Sequence, residues 1–227
     1  MSNIRVAIDG PAGAGKSTIA KIVAKELGYT YIDTGAMYRA VALKALRMGI
    51  SPFDDMRVNN MLSHTRVDVV LRGGEQAVML DGEDVTGLIR AEEVSKGASD
   101  VAVNPAVRLK LVELQREMAS KRSVVMDGRD IGSYVLPDAQ YKFYITASVN
   151  ERARRRYSHL ERQNMLMGRT VEKIAEEIKA RDATDKGRAF APLVCLAEAV
   201  CIDTTQMSII EAAKAVLDYI VKGGESR

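Results

Sequence analysis

The chain has 227 residues, of which 47% are hydrophobic, and carries a formal net charge of +3. A chain of this length can bury a sizeable core and is expected to form one domain. Because 33 basic residues nearly balance 30 acidic ones, no overall field favours a nucleic acid or a membrane surface. Any anion-binding site therefore has to come from a local cluster of charges.

The cysteines and histidines give no sign of a zinc site. Cys195 and Cys201 lack a C-x-x-C spacing, and the two histidines form no H-E-x-x-H pattern. We predict that both cysteines are small buried apolar side chains in a reducing compartment. The N-terminal residues pass directly into a strand-like run, and no apolar run approaches the roughly 18 residues of a spanning helix. We therefore expect a cytoplasmic protein.

Five short apolar runs are separated by longer segments with helical spacing. This pattern predicts an α/β fold in which five parallel strands are covered by helices on both faces. The runs are residues 4–9, 29–32, 123–126, 141–145 and 199–202. The first run is followed by a glycine-rich loop and by an amphipathic segment, residues 17–27, so the chain begins as strand, loop and helix.

A different pattern occupies residues 66–85, where apolar and polar residues alternate. Turns are expected at Gly73-Gly74 and at Asp81-Gly82, so the segment is predicted to form an antiparallel meander inserted into the α/β fold. Further helices are predicted after it, at residues 91–103, 105–120, 150–167 and 171–181.

The loop after the first strand, GPAGAGKS at residues 10–17, matches the phosphate-loop pattern G-x-x-x-x-G-K-[ST] in its expected strand and helix context. Glycines let backbone amides approach a polyphosphate, and the helix N-terminus adds partial positive charge. Lys16 would reach the outer phosphates, and Ser17 would bind Mg²⁺. The predicted nucleotide-binding residues are Gly10, Pro11, Ala12, Gly13, Ala14, Gly15, Lys16, Ser17 and Thr18.

A phosphate loop by itself is shared by nucleotide switches, motor ATPases and small-molecule kinases. The N-K-x-D tetrapeptide typical of guanine readers is missing from the sequence. No segment is long enough to supply a second domain for mechanical coupling. These observations favour a small-molecule kinase.

The segment DTGAMYR, residues 33–39, follows the second predicted strand and opens a helix. Thr34 and Arg39 could both face a cleft above the carboxyl edge of the sheet, where ligands bind in open α/β folds. For Arg39, a solvated position on the helix surface is an equally good interpretation.

The segment MDGRDIG, residues 126–132, places three charges where the third predicted strand ends. If this strand lies beside the first one, Arg129 could fork two donors onto a phosphate. Asp127 resembles the carboxylate that phosphate-loop enzymes use to hold metal-bound water, and with Ser17 it is the predicted metal site. The alternative for Asp127 is a capping residue of a turn.

The arginine-rich segment ERARRR, residues 151–156, is predicted to close over the substrates. The spacing does not tell which of its arginines contacts phosphate, and Arg155 is our choice for the catalytic residue. A solvated helix face is the alternative. Further on, Arg181 and Asp185 would face the same way if the helix continues. They would then form either a surface salt bridge or a donor and acceptor pair for sugar hydroxyls.

Several segments together resemble the bacterial cytidylate kinase family, and they occur in the family's order over most of the chain. They are GPAGAGKST, DTGAMYR, the meander, SKGASDVA, NPAVR, MDGRDIG and RDATDKGRAFAPL. The resemblance implies a phosphate-loop nucleoside monophosphate kinase that uses ATP and Mg²⁺ to convert CMP or dCMP to the diphosphate, and a monomer. It also implies a core (about 1–35, 105–148 and 190–227), a CMP-binding region (about 36–104) and a lid (about 149–189).

The resemblance further implies roles for individual residues. Arg39 and Arg129 match the clamp on the acceptor phosphate. The family's contacts to cytosine fall on Thr34, Arg108, Asp130 and Arg188, and its contacts to the sugar fall on Ser99, Arg181 and Asp185. Many relatives have serine at the position of Thr34, and threonine keeps the hydroxyl.

The implied base contacts make chemical sense. Cytosine presents an amino donor beside two acceptors, whereas uracil presents an oxygen in place of the amino group and would face an unpaired carboxylate. Asp130 is therefore expected to reject UMP. A shikimate or adenylate kinase stays open as an alternative, as does a regulatory nucleotide switch, which would not form ADP in response to an acceptor.

Overall fold

The computed structural model describes residues 3–72 and 75–223. The strands are β1 (Arg5–Asp9), β2 (Thr30–Asp33), β3 (Val67–Arg72), β4 (Glu75–Leu80), β5 (Glu83–Asp84), β6 (Val124–Asp127), β7 (Tyr141–Thr146) and β8 (Val200–Asp203). The helices are α1 (Lys16–Leu27), α2 (Thr34–Arg47), α3 (Asp55–Ser63), α4 (Glu92–Val101), α5 (Pro105–Lys121), α6 (Val149–Arg162), α7 (Val171–Gly187) and α8 (Ile209–Val221). A π-helical turn, Ile131–Val135, follows β6.

A five-stranded parallel sheet forms the centre of the fold, in the order β2-β6-β1-β7-β8. Each of the five predicted strands is confirmed, with ends shifted by about one residue. The central strand β1 has β6 on one side, with Ile8 opposite Asp127, and β6 in turn pairs with β2, with Asp33 opposite Asp127. The carboxyl ends of β1, β2 and β6 therefore meet at one edge of the sheet.

Helices cover both faces of this sheet, as predicted. On one face, α1 and α8 bury apolar side chains such as Val23 and Val216 against β1 and β7. On the other face, Val112 of α5 and the π-helical turn pack against β1 and β6. The all-buried pattern of β6 reflects this double cover, because a strand with helices on both faces has no solvated side.

The predicted meander is a separate three-stranded antiparallel sheet, β3-β4-β5, within the described residues. Asp81 and Gly82 connect β4 to β5 with positive φ angles of 51° and 91°, which a tight turn between antiparallel strands requires. The turn predicted at Gly73-Gly74 lies outside the described residues. Val78 and Leu80 of β4 share an apolar cluster with α2, α3 and α4.

Helices α6 and α7 form an antiparallel pair with an apolar cluster of its own, which includes Ala153 and Ile174. The predicted helix at residues 150–167 was too long, because α6 ends at Arg162 and left-handed backbone follows at Asn164 and Gly168. The predicted helix at residues 171–181 was too short, because α7 continues to Gly187. Arg181 and Asp185 therefore do lie one turn apart on the same helix.

The prediction that both cysteines are buried is wrong. Cys195 lies in the segment before β8 and Cys201 in β8, and both thiols are free and exposed. The physical reason is that β8 is an edge strand of the sheet, whose alternate residues are solvent-exposed. Among the described residues, no helix has the length and apolar character to cross a membrane.

Candidate active site

A cleft opens at the sheet edge where β1, β2 and β6 end, between α2 and α4 on one side and α6 and α7 on the other. Its cavity has a volume of about 320 Å³. Most of the predicted site residues line this cavity. They are Ala12, Gly13, Lys16, Ser17, Thr34, Arg39, Ser99, Arg108, Asp127, Arg129, Asp130, Arg181, Asp185 and Arg188.

The phosphate loop has the conformation that the motif predicts. Gly10 has φ 144°, and a Cβ atom there would lie 1.9 Å from the carbonyl oxygen of Ile145, so only glycine fits. Gly15 is left-handed and leads into α1, whose N-terminal N–H groups therefore face the loop. These groups and the helix dipole favour an anion such as a polyphosphate.

Lys16 is buried, and its Nζ donates to the carbonyl of Pro11 at 2.8 Å. Burial, together with the positive charge of Arg129, lowers the pKa of Lys16 to about 7. A phosphate group beside Nζ would favour the charged form again. The loop thus holds the ammonium group of Lys16 where a bound phosphate would stabilise its charged form.

Ser17 and Asp127 lie together, as predicted for a metal site. The Ser17 hydroxyl donates to Asp127 Oδ2 at 2.8 Å, and Tyr31 donates to Oδ1 of the same carboxylate at 2.8 Å. Burial, followed by the negative charge of Asp33, raises the pKa of Asp127. Within the described residues no three acidic, histidine or cysteine side chains cluster as metal ligands. The oxygen pair fits Mg²⁺ that takes its other ligands from phosphates and water.

Arg39 and Arg129 line the same cavity as Ser17 and Asp127. Arg39 is bound to Asp33 at 2.9 Å, and Arg129 Nε donates to Asp185 at 2.7 Å. The Nε atoms of Arg39 and Arg181 are buried without a hydrogen-bond partner. Burial and the nearby Arg129 lower the pKa of Arg181 to about 10. Cations held this close together, with free donors, are suited to bind a phosphate.

Arg108 and Asp130 form a buried ion pair at the inner end of the cleft, with relative exposures of 1% and 5%. The guanidinium of Arg108 lies over the rings of Tyr38 and Phe190, at 5.9 and 5.8 Å from their centroids. Burial raises the pKa of Asp130, although Arg108 opposes this. The result is a buried ion pair flanked by two aromatic rings.

The remaining predicted contacts surround this inner site. Thr34 is buried and donates its hydroxyl hydrogen to the carbonyl of Asp127 at 2.8 Å. Arg188 is paired with Asp185, and the charges of Arg129 and Arg188 overcome burial to lower the pKa of Asp185. Asp185 therefore joins two arginines of the cleft instead of forming a surface salt bridge with Arg181.

Asp9 is a site residue that the sequence analysis missed. It is the last residue of β1, and its carboxylate accepts from the backbone N–H groups of Ile131 and Gly132, both at 2.8 Å. Burial raises the pKa of Asp9 to about 6. Asp9 thereby fixes the backbone that follows Asp130. Its position at a strand end, directly before the glycine-rich loop, was a signal that could have identified it.

The arginines of residues 151–156 have different surroundings in the structure. Arg155, our sequence choice for catalysis, is not among the residues that line the cavity. Its guanidinium binds Glu151 at 3.0 Å and the carbonyl of Thr204 at 2.6 Å. The arginine of this segment that lines the cavity is Arg156.

The sequence analysis also did not select Arg152, which is buried and contacts the phosphate loop. It binds Asp182 at 2.7 Å and donates to the carbonyl of Ala12 at 3.0 Å. Arg152 and Arg156 are four residues apart on α6 and share a helix face, which was the signal that separates them from Arg155. Arg154 and Arg156 are both exposed, but Arg154 does not line the cavity, so the solvated interpretation holds for Arg154.

The parallel sheet, the phosphate loop and a second anion-binding set in the same cleft define a phosphate-loop kinase of small molecules. A family model described as cytidylate kinase matches residues 6–222. The chain therefore belongs to the cytidylate kinase family and is a phosphotransferase. This confirms the resemblance predicted from the sequence motifs.

Curated relatives agree with this assignment. A cytidylate kinase from Caldicellulosiruptor bescii is 49% identical, covering 98% of this chain and 97% of the relative. One from Desulforamulus reducens is 50% identical, covering 96% and 97%. Among solved structures, a gluconokinase from Sinorhizobium meliloti 1021 has a TM-score of 0.51 at 12% identity, covering 98% of this chain and 94% of that one. This last similarity concerns the fold alone.

Proposed function

We propose that the chain transfers the γ-phosphoryl group of ATP to CMP or dCMP, giving ADP and CDP or dCDP. The observation that carries this proposal is one cleft that holds a phosphate loop, free guanidinium donors and the buried pair of Arg108 and Asp130. An acid acceptor such as shikimate has no need of the Asp130 carboxylate. The hydrogen-bonding edge of adenine differs from that of cytosine.

Each group of residues receives one role in the proposal. Residues 10–18 bind the phosphates of ATP, and Ser17 with Asp127 would hold Mg²⁺, which neutralises charge on the phosphates. Arg39 and Arg129 bind the acceptor phosphate. The base is read by Thr34, Arg108, Asp130 and Arg188, and the sugar is bound by Ser99, Arg181 and Asp185.

In the proposed division of the chain, the lid has an apolar cluster of its own, whereas the cluster of the CMP-binding region also includes Val107 and Leu111 of α5. Residues 36–104, which contain the meander and α2 to α4, form the CMP-binding region, and residues 149–189, which contain α6 and α7, form the lid. The rest is the core. Because Arg156 lines the cavity, we now assign the catalytic lid arginine to Arg156 and leave Arg155 a positioning role beside Thr204.

The proposed mechanism is in-line transfer, in which an oxygen of the CMP phosphate attacks the γ-phosphorus. No side chain has to act as a strong base, because a phosphate monoester is already anionic near neutral pH. Lys16 and Arg156 stabilise the charge on the equatorial oxygens, and Arg39 and Arg129 orient the acceptor. Closure of α6 and α7 over the cleft would exclude water.

A coupled assay of ADP formation with CMP, dCMP, UMP, AMP and shikimate tests the proposed function. We expect turnover with CMP and dCMP, much less with UMP, and none without an acceptor. A preference for AMP or shikimate, or ADP formation without an acceptor, would overturn the proposal. Lys16→Ala should bind CMP and lose nearly all turnover, and near-normal turnover would refute the assigned role of the loop.

Both substrate sites lie within one chain, so the proposal requires no partner subunit, and we expect a monomer. The cytoplasmic location expected from the sequence stays a prediction.

A further inference from the structure

Gln76 of the antiparallel meander forms hydrogen bonds with the backbone of Asp33, at the end of β2. The Oε1 atom of Gln76 accepts from the backbone N–H of Asp33 at 2.8 Å, and its Nε2 donates to the carbonyl of the same residue at 3.2 Å. A side-chain amide that bonds both polar groups of one residue does what the backbone of a neighbouring strand would do.

The sheet topology explains why Asp33 has free backbone groups. β2 is an edge strand, paired on one side with β6. The N–H of Thr30 donates to the carbonyl of Ser123, the residue before β6, and successive residues of a strand alternate in direction. The N–H and carbonyl of Asp33 therefore point to the open side of the sheet, where the N–H has no partner from a neighbouring strand.

The meander brings Gln76 to that edge by its own packing. Gln76, Val78 and Leu80 lie two residues apart on β4 and share one face. Val78 and Leu80 are buried in the apolar cluster that contains α2. Anchoring these two side chains places Gln76 beside the first turn of the same helix.

Asp33 passes this constraint to the acceptor site. Its Oδ1 caps α2 by accepting from the N–H of Ala36 at 2.9 Å, and its Oδ2 binds Arg39 at 2.9 Å. The packing is tight, because a Cβ atom on Gly35 would lie 3.2 Å from both Asp33 Oδ1 and Arg39 Nη1. A shift of the Asp33 backbone would therefore move the guanidinium of Arg39.

We propose that Gln76 is a positioning residue for the acceptor phosphate, so that one role of the meander is to hold Arg39 ready for CMP through Asp33. This inference rests on the proposed function, because it takes Arg39 as part of the phosphate clamp. Arg39 touches the substrate in this scheme, and Gln76 acts only through Asp33.

Steady-state kinetics of Gln76→Leu and Gln76→Glu test the inference. Leucine removes both hydrogen bonds, so the KM for CMP should rise about tenfold, while the KM for ATP stays near the wild-type value. Glutamate can accept from the N–H of Asp33 but cannot donate to the carbonyl, and it adds negative charge near the acceptor site, so its KM for CMP should rise at least as far.

The matched control is Glu83→Gln, which breaks an exposed ion pair between β5 and Arg47 of α2. This variant loosens the meander without touching Asp33 and should keep the wild-type KM for CMP. Thermal unfolding of each variant reports whether the fold is retained. If Gln76→Leu lowers activity equally toward CMP and ATP, Gln76 is merely structural and the inference is overturned.

Arg39→Ala separates this inference from the proposed function. If Arg39→Ala raises the KM for CMP and Gln76→Leu does not, the inference fails and the phosphate clamp stands. If Arg39→Ala leaves the KM for CMP unchanged, the clamp assignment fails and the inference falls with it. In the double variant, Gln76→Leu should add little to the effect of Arg39→Ala, because both act on one contact.

Discussion

At the scale of single residues, the cleft holds its charges in buried or half-buried ion pairs that line the cavity. Asp130 is bound to Arg108, Asp33 to Arg39 and Asp185 to Arg129 and Arg188. Removing one member of a buried pair leaves an uncompensated charge, which costs far more than the pair contributes. Informative substitutions in this cleft therefore keep the shape and change only the charge or the hydrogen bonding.

Asp130→Asn tests how the base is read. The asparagine can still accept from Arg108, but its amide can donate to the O4 oxygen of uracil, where the carboxylate can only repel it. The preference for CMP over UMP should fall by about fivefold to a hundredfold, corresponding to about 1 to 3 kcal/mol. The measurement is the ratio of kcat/KM for the two acceptors. An equal loss with both would mean that Asp130 only supports Arg108.

Asp9→Asn tests the raised pKa of the buried Asp9 carboxylate. Because burial raises the folded-state pKa of Asp9 from 3.8 to about 6, the folded chain binds more protons than the unfolded chain between these pH values. Stability contributed by the protonated acid is therefore lost as the pH rises from 4 to 6. The shift corresponds to on the order of 3 kcal/mol. Lys16 and Asp130 are the charged groups that act on it.

Asparagine does not ionise, so the variant should gain stability relative to wild type as the pH rises from 4 to 6. Urea unfolding at several pH values measures this difference. A difference that is independent of pH would contradict a raised pKa at Asp9. Asparagine keeps one acceptor oxygen for the two N–H groups of Ile131 and Gly132, so the variant should lose some stability at every pH, and only the change of that loss with pH reports on the pKa of Asp9.

At the scale of elements, an ion pair joins the two sides of the cleft. Arg169, in the turn between α6 and α7, forms a bidentate contact with Glu92 at the start of α4, with 2.8 Å between Nη2 and Oε2. Arg169 also donates to the carbonyls of Leu166 and Met165, which fixes the turn around it. The pair bridges the proposed lid and the proposed CMP-binding region.

Arg169→Ala should weaken closure of the cleft. Since the pair is partly exposed, we expect a modest rise of about twofold to fivefold in the KM values for both nucleotides. Exchanging the two charges, with Glu92→Arg and Arg169→Glu together, should restore part of the loss. Lys173→Ala is the control, because it removes an exposed pair with Glu176 within α7. A change confined to one nucleotide would argue against a role in closure.

At the scale of the whole molecule, the candidate active site lies among four separate apolar clusters. The parallel sheet and its covering helices form two clusters, the proposed CMP-binding region shares a large cluster with Val107 and Leu111 of α5, and α6 with α7 has a fourth. Because the fourth cluster contains only residues of α6, α7 and the turn between them, this helix pair can change its distance from the rest of the chain without exposing a core.

Hydrogen exchange measured by mass spectrometry tests this arrangement. With CMP and a non-hydrolysable ATP analogue together, exchange in α4, α6 and α7 should slow more than with either nucleotide alone, because the two proposed nucleotide sites lie in different parts of the cleft. Exchange in β1 and β6 should change little. Equal protection by one nucleotide alone would show that closure does not need both.

The sequence by itself determined the parts of this protein that depend on local pattern. Apolar runs and glycine spacing are sufficient to place the five parallel strands, the phosphate loop and the antiparallel insertion. The charges at the ends of predicted strands, such as Asp127 and Arg129, were found because parallel strands present their carboxyl ends at a common edge. Family motifs supplied the inner residues, including Arg108 and Asp130.

Only the tertiary structure decided which side chains lie together in space and which residues adjacent in sequence have different surroundings. It separated Arg155 from Arg156, placed the cysteines at the solvent-exposed edge of the sheet, and connected Gln76 to Asp33 across 43 positions of sequence. Local patterns report the periodicity of a helix or strand. They do not report which face a distant element covers, because that depends on how separate apolar clusters pack together.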